Sequence, residues 1–554
     1  MSFVSISLMK DKIIFFKGAI WGLLVISILG LLSYLGIIHI NDSVLVYKNS
    51  VRLQSVIQYA NVTGVLMGIG FFLSYYFISH YDKFQETVKY YIFSHLFLLS
   101  LIFTQSRGAI ISLILCILIW FLLLKNSKTI FYVLTNFVLS FISGYLVSIL
   151  IIGEKKFLAV LVFVVSSMAA GYIYYIVNIK IKGLSYRKIN LLIVILLIIS
   201  TVILFNSQLD RIFQISIFHG TFILRFIYFK DGLRVIKENF LLGIGPGNWT
   251  SQQFFYQTAK YYVKYIHNGL VQIALDAGIL SLITFIFIVG LYSKKSIKNF
   301  KESNAGKAIT LIIILFYILL HSLIDIDLSF TSILMIISGI LAVDTDTSFC
   351  TNNKIRIDLF KALGLTFSGL AIGIGIFLLV GQNYYNNGEY YFIHRKYDRA
   401  IQYYEKSILF RPYDNHPYLR LSICYEMVNK NKEKSIEMLG KANLLDTHDP
   451  RPLKELIRTG QLYQDNQLVY NSSIKLIDIN RFDILGYESG LIASLNMYEN
   501  KIITDDEFNK NIKLILNKLD MTNRERDLRS KYVEHNDKLI VADDLMKKIK
   551  PLRK

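Results

Sequence analysis

Apolar runs of roughly 18 or more residues recur through the first 380 positions, and no other feature restricts the fold as much. A stretch of that length crosses a bilayer only as a helix, because a helix satisfies its own backbone groups where water is absent. Eleven spans are read: 14–38, 59–79, 88–105, 108–125, 129–152, 157–179, 189–206, 267–292, 308–324, 330–343 (the shortest) and 361–381. The first lacks a small-residue cleavage site and is expected to stay as an anchor. Residues 1–381 therefore read as a polytopic transmembrane helical bundle.

Charge orients the bundle. Residues 1–381 hold 31 Lys/Arg against 15 Asp/Glu, whereas residues 382–554 hold 29 against 25. The basic surplus belongs to the membrane part, which suits positive-inside topology and not nucleic-acid binding. With the N-terminus cytoplasmic, the inner segments collect Lys10, Lys12, Lys17, Lys83, Lys125, Lys180, Arg187, Lys294 and Lys354 among others, against Lys48, Arg52, Arg107, Lys155 and Lys156 in the short outer loops. The same count puts loop 207–266 and the tail outside. Cys116, Cys350 and Cys424 have no metal-site spacing and suggest no disulfide framework.

The tail, 382–554, turns charged and tyrosine-rich. Gly388, Tyr391, Ala400, Tyr404 and Pro412 fall at tetratricopeptide offsets, and Leu421, Tyr425, Ser435, Leu439 and Ala442 repeat the pattern. Stacked repeats need neighbours, so 450–540 should supply further helices. The whole chain is expected to be all-α: the bundle, then an extracytoplasmic tetratricopeptide-like repeat domain that could bind a protein partner.

The outer segments carry the candidate chemistry. In the large loop, Leu224–Phe240 reads as an amphipathic helix with Arg225 and Arg234 on related faces, and Gly243, Gly245, Pro246 and Gly247 then end it. Aromatic residues follow, and His267-Asn268 opens the next span. Arg107 lies in Ser106-Arg107-Gly108 at the outer end of a helical hairpin, where an arginine needs a partner or water; the bland reading is a snorkelling side chain. Arg52 precedes Tyr59-Ala60-Asn61, and Asn61 could equally be a helix cap. His321 and Asp325-x-Asp327 end a later span. The carboxylates suit a cap better than a metal, and no metal or cofactor is expected.

Arginine is a permanent cation whose fork fits phosphate, so Arg107 and Arg225, with Arg52 or Arg234, could hold a diphosphate. His267 could accept the proton of an acceptor hydroxyl. Tyrosine and tryptophan faces suit sugar rings and the membrane interface alike.

The motif R-x-x-Y-x-x-x-G-L-x-x-I-K-x-N-x-L-L-G-I-G-P-G-N-W, beginning at Arg225, with H-N-G-L-V-Q-I-A-L-D-A-G-I-L from His267, resembles the O-antigen ligase-like (Wzy-type polymerase) superfamily. The match covers about 60 residues well, with weaker echoes elsewhere. The resemblance implies metal-independent transfer of an oligosaccharide from a polyprenyl diphosphate to a hydroxyl, at the outer face of the cytoplasmic membrane, in surface polysaccharide biosynthesis. It implies His267, Arg225 and Arg107 as catalytic residues and Arg52, Arg234, Asn268 and His321 as substrate-binding ones. Phe240 departs from the family, which has proline before the glycine turn. A glycan, a lipid or a protein all remain open as acceptor. The rival is a non-enzymatic membrane scaffold or lipid-linked glycan transporter, for which the tail would matter and the arginines and His267 would not.

Overall fold

A computed structural model describes residues 6, 9, 11–47, 50–180, 186, 190, 220–300, 305–343, 354–527 and 538–552. The expected span 189–206 lies almost wholly outside them. The chain forms two compact units: one of residues 1–215, 266–274 and 279–357, the other of 216–265, 275–278 and 358–554. The described structure is helical apart from one short hairpin.

In the first unit, helices α1 (Ile13–Tyr34), α2 (Ala60–Ile78), α3 (Phe84–Thr104), α4 (Arg107–Leu124), α5 (Ser127–Ile152) and α6 (Lys156–Tyr175) follow one another. Strands β1 (Val44–Tyr47) and β2 (Ser50–Leu53) pair antiparallel between α1 and α2, with Leu45 opposite Arg52. After the large loop come α9 (Gly269–Phe300), α10 (Ala305–Ser322) and α11 (Thr331–Val343). Among the described residues, seven helices are long and apolar enough to cross a membrane: α1 to α6 and most of α9 (Gly269–Ser296); α10 and α11 are shorter apolar helices. The chain is a multi-pass membrane protein.

α2 is the axis of this bundle, with nearly every side chain buried. It packs on α3, α4 and α10. Glycines let these helices close in, as small residues do where the surrounding lipid is as apolar as leucine. A Cβ on Gly68 would sit 2.5 Å from the Tyr317 ring, and one on Gly70 would sit 2.9 Å from the Phe97 ring. The outward stripes Leu115-Leu118-Leu122 on α4 and Leu161-Val165-Met168 on α6 stay exposed, as lipid-facing surfaces do.

The bundle's connections place four helix ends together. α2 begins where α3 ends and α4 begins, and α10, packed on α2 and α4, ends beside them. Residues 59–61, 104–108 and 321–327 are therefore neighbours.

In the second unit, α7 (Gly220–Glu238) and α8 (Trp249–Tyr256) belong to the large loop, and α12 (Lys354–Ile393) leads into the tail. There α13 (Tyr397–Phe410), α14 (Asn415–Asn429), α15 (Lys432–Leu445), α16 (Pro450–Leu462), α17 (Asn466–Ile479), α18 (Ile484–Glu499) and α19 (Asp505–Asp527) each pack mainly on the next. Asp414, Asp449 and Asp483 cap α14, α16 and α18 from their side chains, so alternate helices start 35 and 34 residues apart. Gly388 lies under the ring of Tyr404, 2.5 Å from where its Cβ would stand, and Tyr404 and Ala400 are fully buried.

Candidate active site

The site grows from Asp325. This carboxylate is buried in the turn after α10 and collects donors from several elements. Its Oδ1 accepts from Tyr59 Oη at 2.8 Å and from the Ile326 N–H at 2.8 Å, and its Oδ2 from Asn61 Nδ2 at 2.5 Å. Arg52 extends the chain of contacts, donating Nη2 to Asn61 Oδ1 at 2.6 Å and Nε to the Thr104 carbonyl at 2.7 Å. The β-hairpin explains why Arg52 is held so firmly: its neighbour Leu53 is fully buried in a cluster with Leu31, Tyr34, Leu99 and Phe103. Two of the Arg52 donor groups are thus used inside the protein.

His267 enters the same cluster. Its Nδ1 lies 3.5 Å from Asp325 Oδ1, and the imidazole is 23% exposed against 2% for the carboxylate. A carboxylate beside Nδ1 favours the tautomer with N–H on that nitrogen. The distance is looser than a hydrogen bond, as catalytic contacts often are before substrate is bound. Asn268 anchors the residue next door: its Oδ1 accepts from the N–H groups of Leu270 and Val271, capping α9, and its Nδ2 donates to the Leu323 carbonyl at 2.9 Å. Asn268 is a structural tie between α9 and the turn holding Asp325.

His321 forms a second, closed pair. Its Nδ1 is 2.7 Å from Asp327 Oδ2, which also accepts from Ser322 Oγ at 3.3 Å, and both partners are almost fully buried. Burial pushes the Asp327 carboxyl above the usual carboxylate range, against the pull of His321. The imidazole of His321 presses on Gly108, where a Cβ would stand 2.9 Å from Nε2. That contact explains the glycine of Ser106-Arg107-Gly108. Ser106 caps α4, and Arg107 stands exposed at its first turn with no partner among the described residues.

Arg225 and Arg234 belong to the second unit. The expectation that they share related faces of their helix is corrected: nine residues at about 100° each place them on opposite sides. Arg225 is half-buried, whereas the Arg234 side chain is 47% exposed, 3.9 Å from Asp231. Asp231 went unnoticed in the sequence. It is fully buried and accepts from the Thr258 N–H at 2.8 Å, Thr258 Oγ1 at 2.9 Å and Tyr261 Oη at 2.9 Å, fastening the aromatic segment to α7.

The glycine turn is backbone packed on backbone. α9 breaks at Gly278 (φ 80°, ψ 169°), and the carbonyls of Leu275 and Asp276 accept from the N–H groups of Ile244 and Gly245 at 2.8 and 3.0 Å. A Cβ on Gly278 would lie 1.9 Å from the Leu241 carbonyl, and one on Gly243 would lie 2.4 Å from that of Leu275. Gly243 and Gly278 are one structural device.

Residues 156–286 match the family model described as O-Antigen ligase (Wzy_C). Over those residues the chain is similar to O-antigen ligases. A comparison with curated proteins gives no match. The match takes in α6 to α8 and the start of α9, and with them Arg225, Arg234, His267 and Asn268. It supports an enzyme of O-antigen ligase type.

Proposed function

We propose that this ligase-like protein transfers an oligosaccharide from a polyprenyl diphosphate to an acceptor hydroxyl at the outer face of the cytoplasmic membrane. The observation that carries the reading is the pairing of His267, partly open to solvent, with the buried carboxylate of Asp325, beside the start of α4, where Arg107 is exposed and Gly108 meets Ile324 and His321. The acceptor oxygen attacks the anomeric carbon. His267 Nε2 takes its proton while the bond from that carbon to the diphosphate oxygen breaks, and the diphosphate leaves with the electron pair. Arg107 meets the charge that develops on the leaving group. The motif gives Arg225 and Arg234 a part in holding the diphosphate, and Arg52 works through Asn61 to hold Asp325. With cations supplied by side chains, the transfer needs no metal, and chelation by EDTA should leave it unchanged.

The proposal extends to organisation. Residues 1–381 form the transferase domain, N-terminus inside, and 382–554 a tetratricopeptide-like domain outside, a reading supported by helix starts recurring at 34–35 residues. Acceptor choice among glycan, lipid and protein stays with the acceptor's own chemistry. The test is His267→Ala beside wild type in cells, at matched membrane level. Loss of long or ligated surface glycan with accumulation of the lipid-linked precursor supports the assignment. An unchanged glycan ladder removes His267 as the base and favours a scaffold or transporter.

A further inference from the structure

The tail's inter-helix turns touch the large loop within the second unit. His448 lies in the turn between α15 and α16, and Asn480 and Arg481 lie in the equivalent turn between α17 and α18, one hairpin further on. His448 Nδ1 is 3.1 Å from Gln252 Nε2, and its ring meets Phe255 edge-on with centroids 5.0 Å apart. Asn480 Oδ1 accepts from Gln257 Nε2 at 3.4 Å, and Arg481 Nη2 donates to the Gln257 carbonyl at 3.1 Å. Gln257 is buried, as is Thr258 beside it. The tail thus supplies partners for the Gln257 Nε2 and carbonyl, whose burial without them would be unfavourable, while Gln257 Oε1 has none among the described residues.

The next residue carries the restraint onward. Thr258 is bonded to Asp231 on α7, as is Tyr261. Gln253 closes the segment, donating Nε2 to the Val263 carbonyl at 3.0 Å and accepting the Val263 N–H at 2.8 Å. Residues 252–263 are therefore clipped on one side by two turns of the tail and on the other by the helix that carries Arg225.

We infer that the tail acts in cis: its inter-helix turns are a docking surface for the chain's own extracytoplasmic loop, and His448, Asn480 and Arg481 are positioning residues for α7 and its arginines. The functional consequence rests on the ligase reading; the docking itself does not. Partner capture is thus not the first task of these turns, and damage to them disables transfer even when the membrane helices are intact.

The test uses the full-length protein carrying His448→Ala with Arg481→Ala. Amide exchange over 249–263 should quicken at least tenfold, with α14 to α18 unchanged, and glycan product should fall at least tenfold at equal protein level. Arg481→Lys, which keeps a donor for the Gln257 carbonyl, should restore much of both. Arg481 also pairs with Glu525 at 2.8 Å, so Glu525→Gln serves as the control that breaks only the contact inside the tail. Unchanged exchange over 249–263 in the double variant overturns the inference, and so does a Glu525→Gln variant that reproduces the loss. Quickened exchange in the double variant, when wild type itself makes no product, upholds the docking and overturns the ligase reading instead.

Discussion

His267 stands at φ 59°, a left-handed conformation that β-carbon sterics disfavour by about 1 kcal/mol or more. It persists because both neighbours are committed: Asn268 caps α9, and the Ile266 N–H donates to Gln272 Oε1 at 3.1 Å. The backbone therefore sets the imidazole against Asp325, and Asp325 holds its orientation. Asp325→Asn, which keeps the shape and removes the charge, should lower transfer by about 10²-fold or more, the range for losing a properly held general base, with His267 still present. In vitro transfer by membranes of matched protein content measures it. Arg107→Ala should weaken binding of a lipid diphosphate by about 10- to 100-fold, the usual worth of a hydrogen bond to a charged group. Direct binding to the purified variant checks this, and an affinity equal to wild type would remove Arg107 from the diphosphate. Asp231 adds a pH dependence. Burial raises its carboxyl above the ordinary value, so the folded loop binds that proton more tightly than the unfolded chain does. The stabilisation is complete below the ordinary carboxylate value and fades as pH rises through the raised one. Protection of 257–261, corrected for intrinsic exchange, should decline across that interval in wild type and stay flat in Asp231→Asn.

At the scale of elements, the broken helix α9 and the glycine turn depend on each other. Gly278 adopts a backbone open to almost no other residue and lies against the Leu241 carbonyl, so both strain and contact forbid a side chain. Gly278→Ala should cost more than about 3 kcal/mol, because an excluded backbone region and a direct clash add. A large loss of thermal stability, with proteolysis opening in 239–248, is the expected result; a melting temperature within a few degrees of wild type would contradict the packing. The tail rests on many smaller contributions of similar kind. Asp483→Ala removes the bond to the Leu485 N–H and the ion pair with Lys454, and should lower the tail's stability by about 1 kcal/mol. Denaturant unfolding followed by exchange in α18 would show it.

For the whole molecule, the charge bias makes a topological prediction. Asn41 and Tyr413 should face outside and Asp82 inside, and all three are exposed. In a background without Cys116, Cys350 and Cys424, Asn41→Cys and Tyr413→Cys should react with an impermeant thiol reagent in intact cells. Asp82→Cys should react only after permeabilisation. Labelling of Asp82→Cys from outside would invert the assignment and move the proposed chemistry to the wrong face.

Much of this was legible in the residues. Helix-length apolar runs can satisfy their backbones in lipid in one way only, so α1 to α6 and α11 begin and end within a few residues of the runs that mark them, whereas α9 and α12 run well past theirs. Gly-Ile-Gly-Pro-Gly and His-Asn stood out because glycine, proline and histidine have narrow physical uses. What the sequence could not show is which distant side chains meet. Asp325 read as a cap or a weak metal pair, yet the packing of α10 on α2 and α4 makes it the shared acceptor for Tyr59 and Asn61 and the partner of His267. Asp231 went unnoticed because only the folded loop brings Thr258 and Tyr261 onto it. His448 and Arg481 carried no signal at all, since a turn residue declares its partner only when chain segments about 200 residues apart are folded together. Local periodicity and sterics are properties of the chain; the pairing of buried charges is a property of the fold.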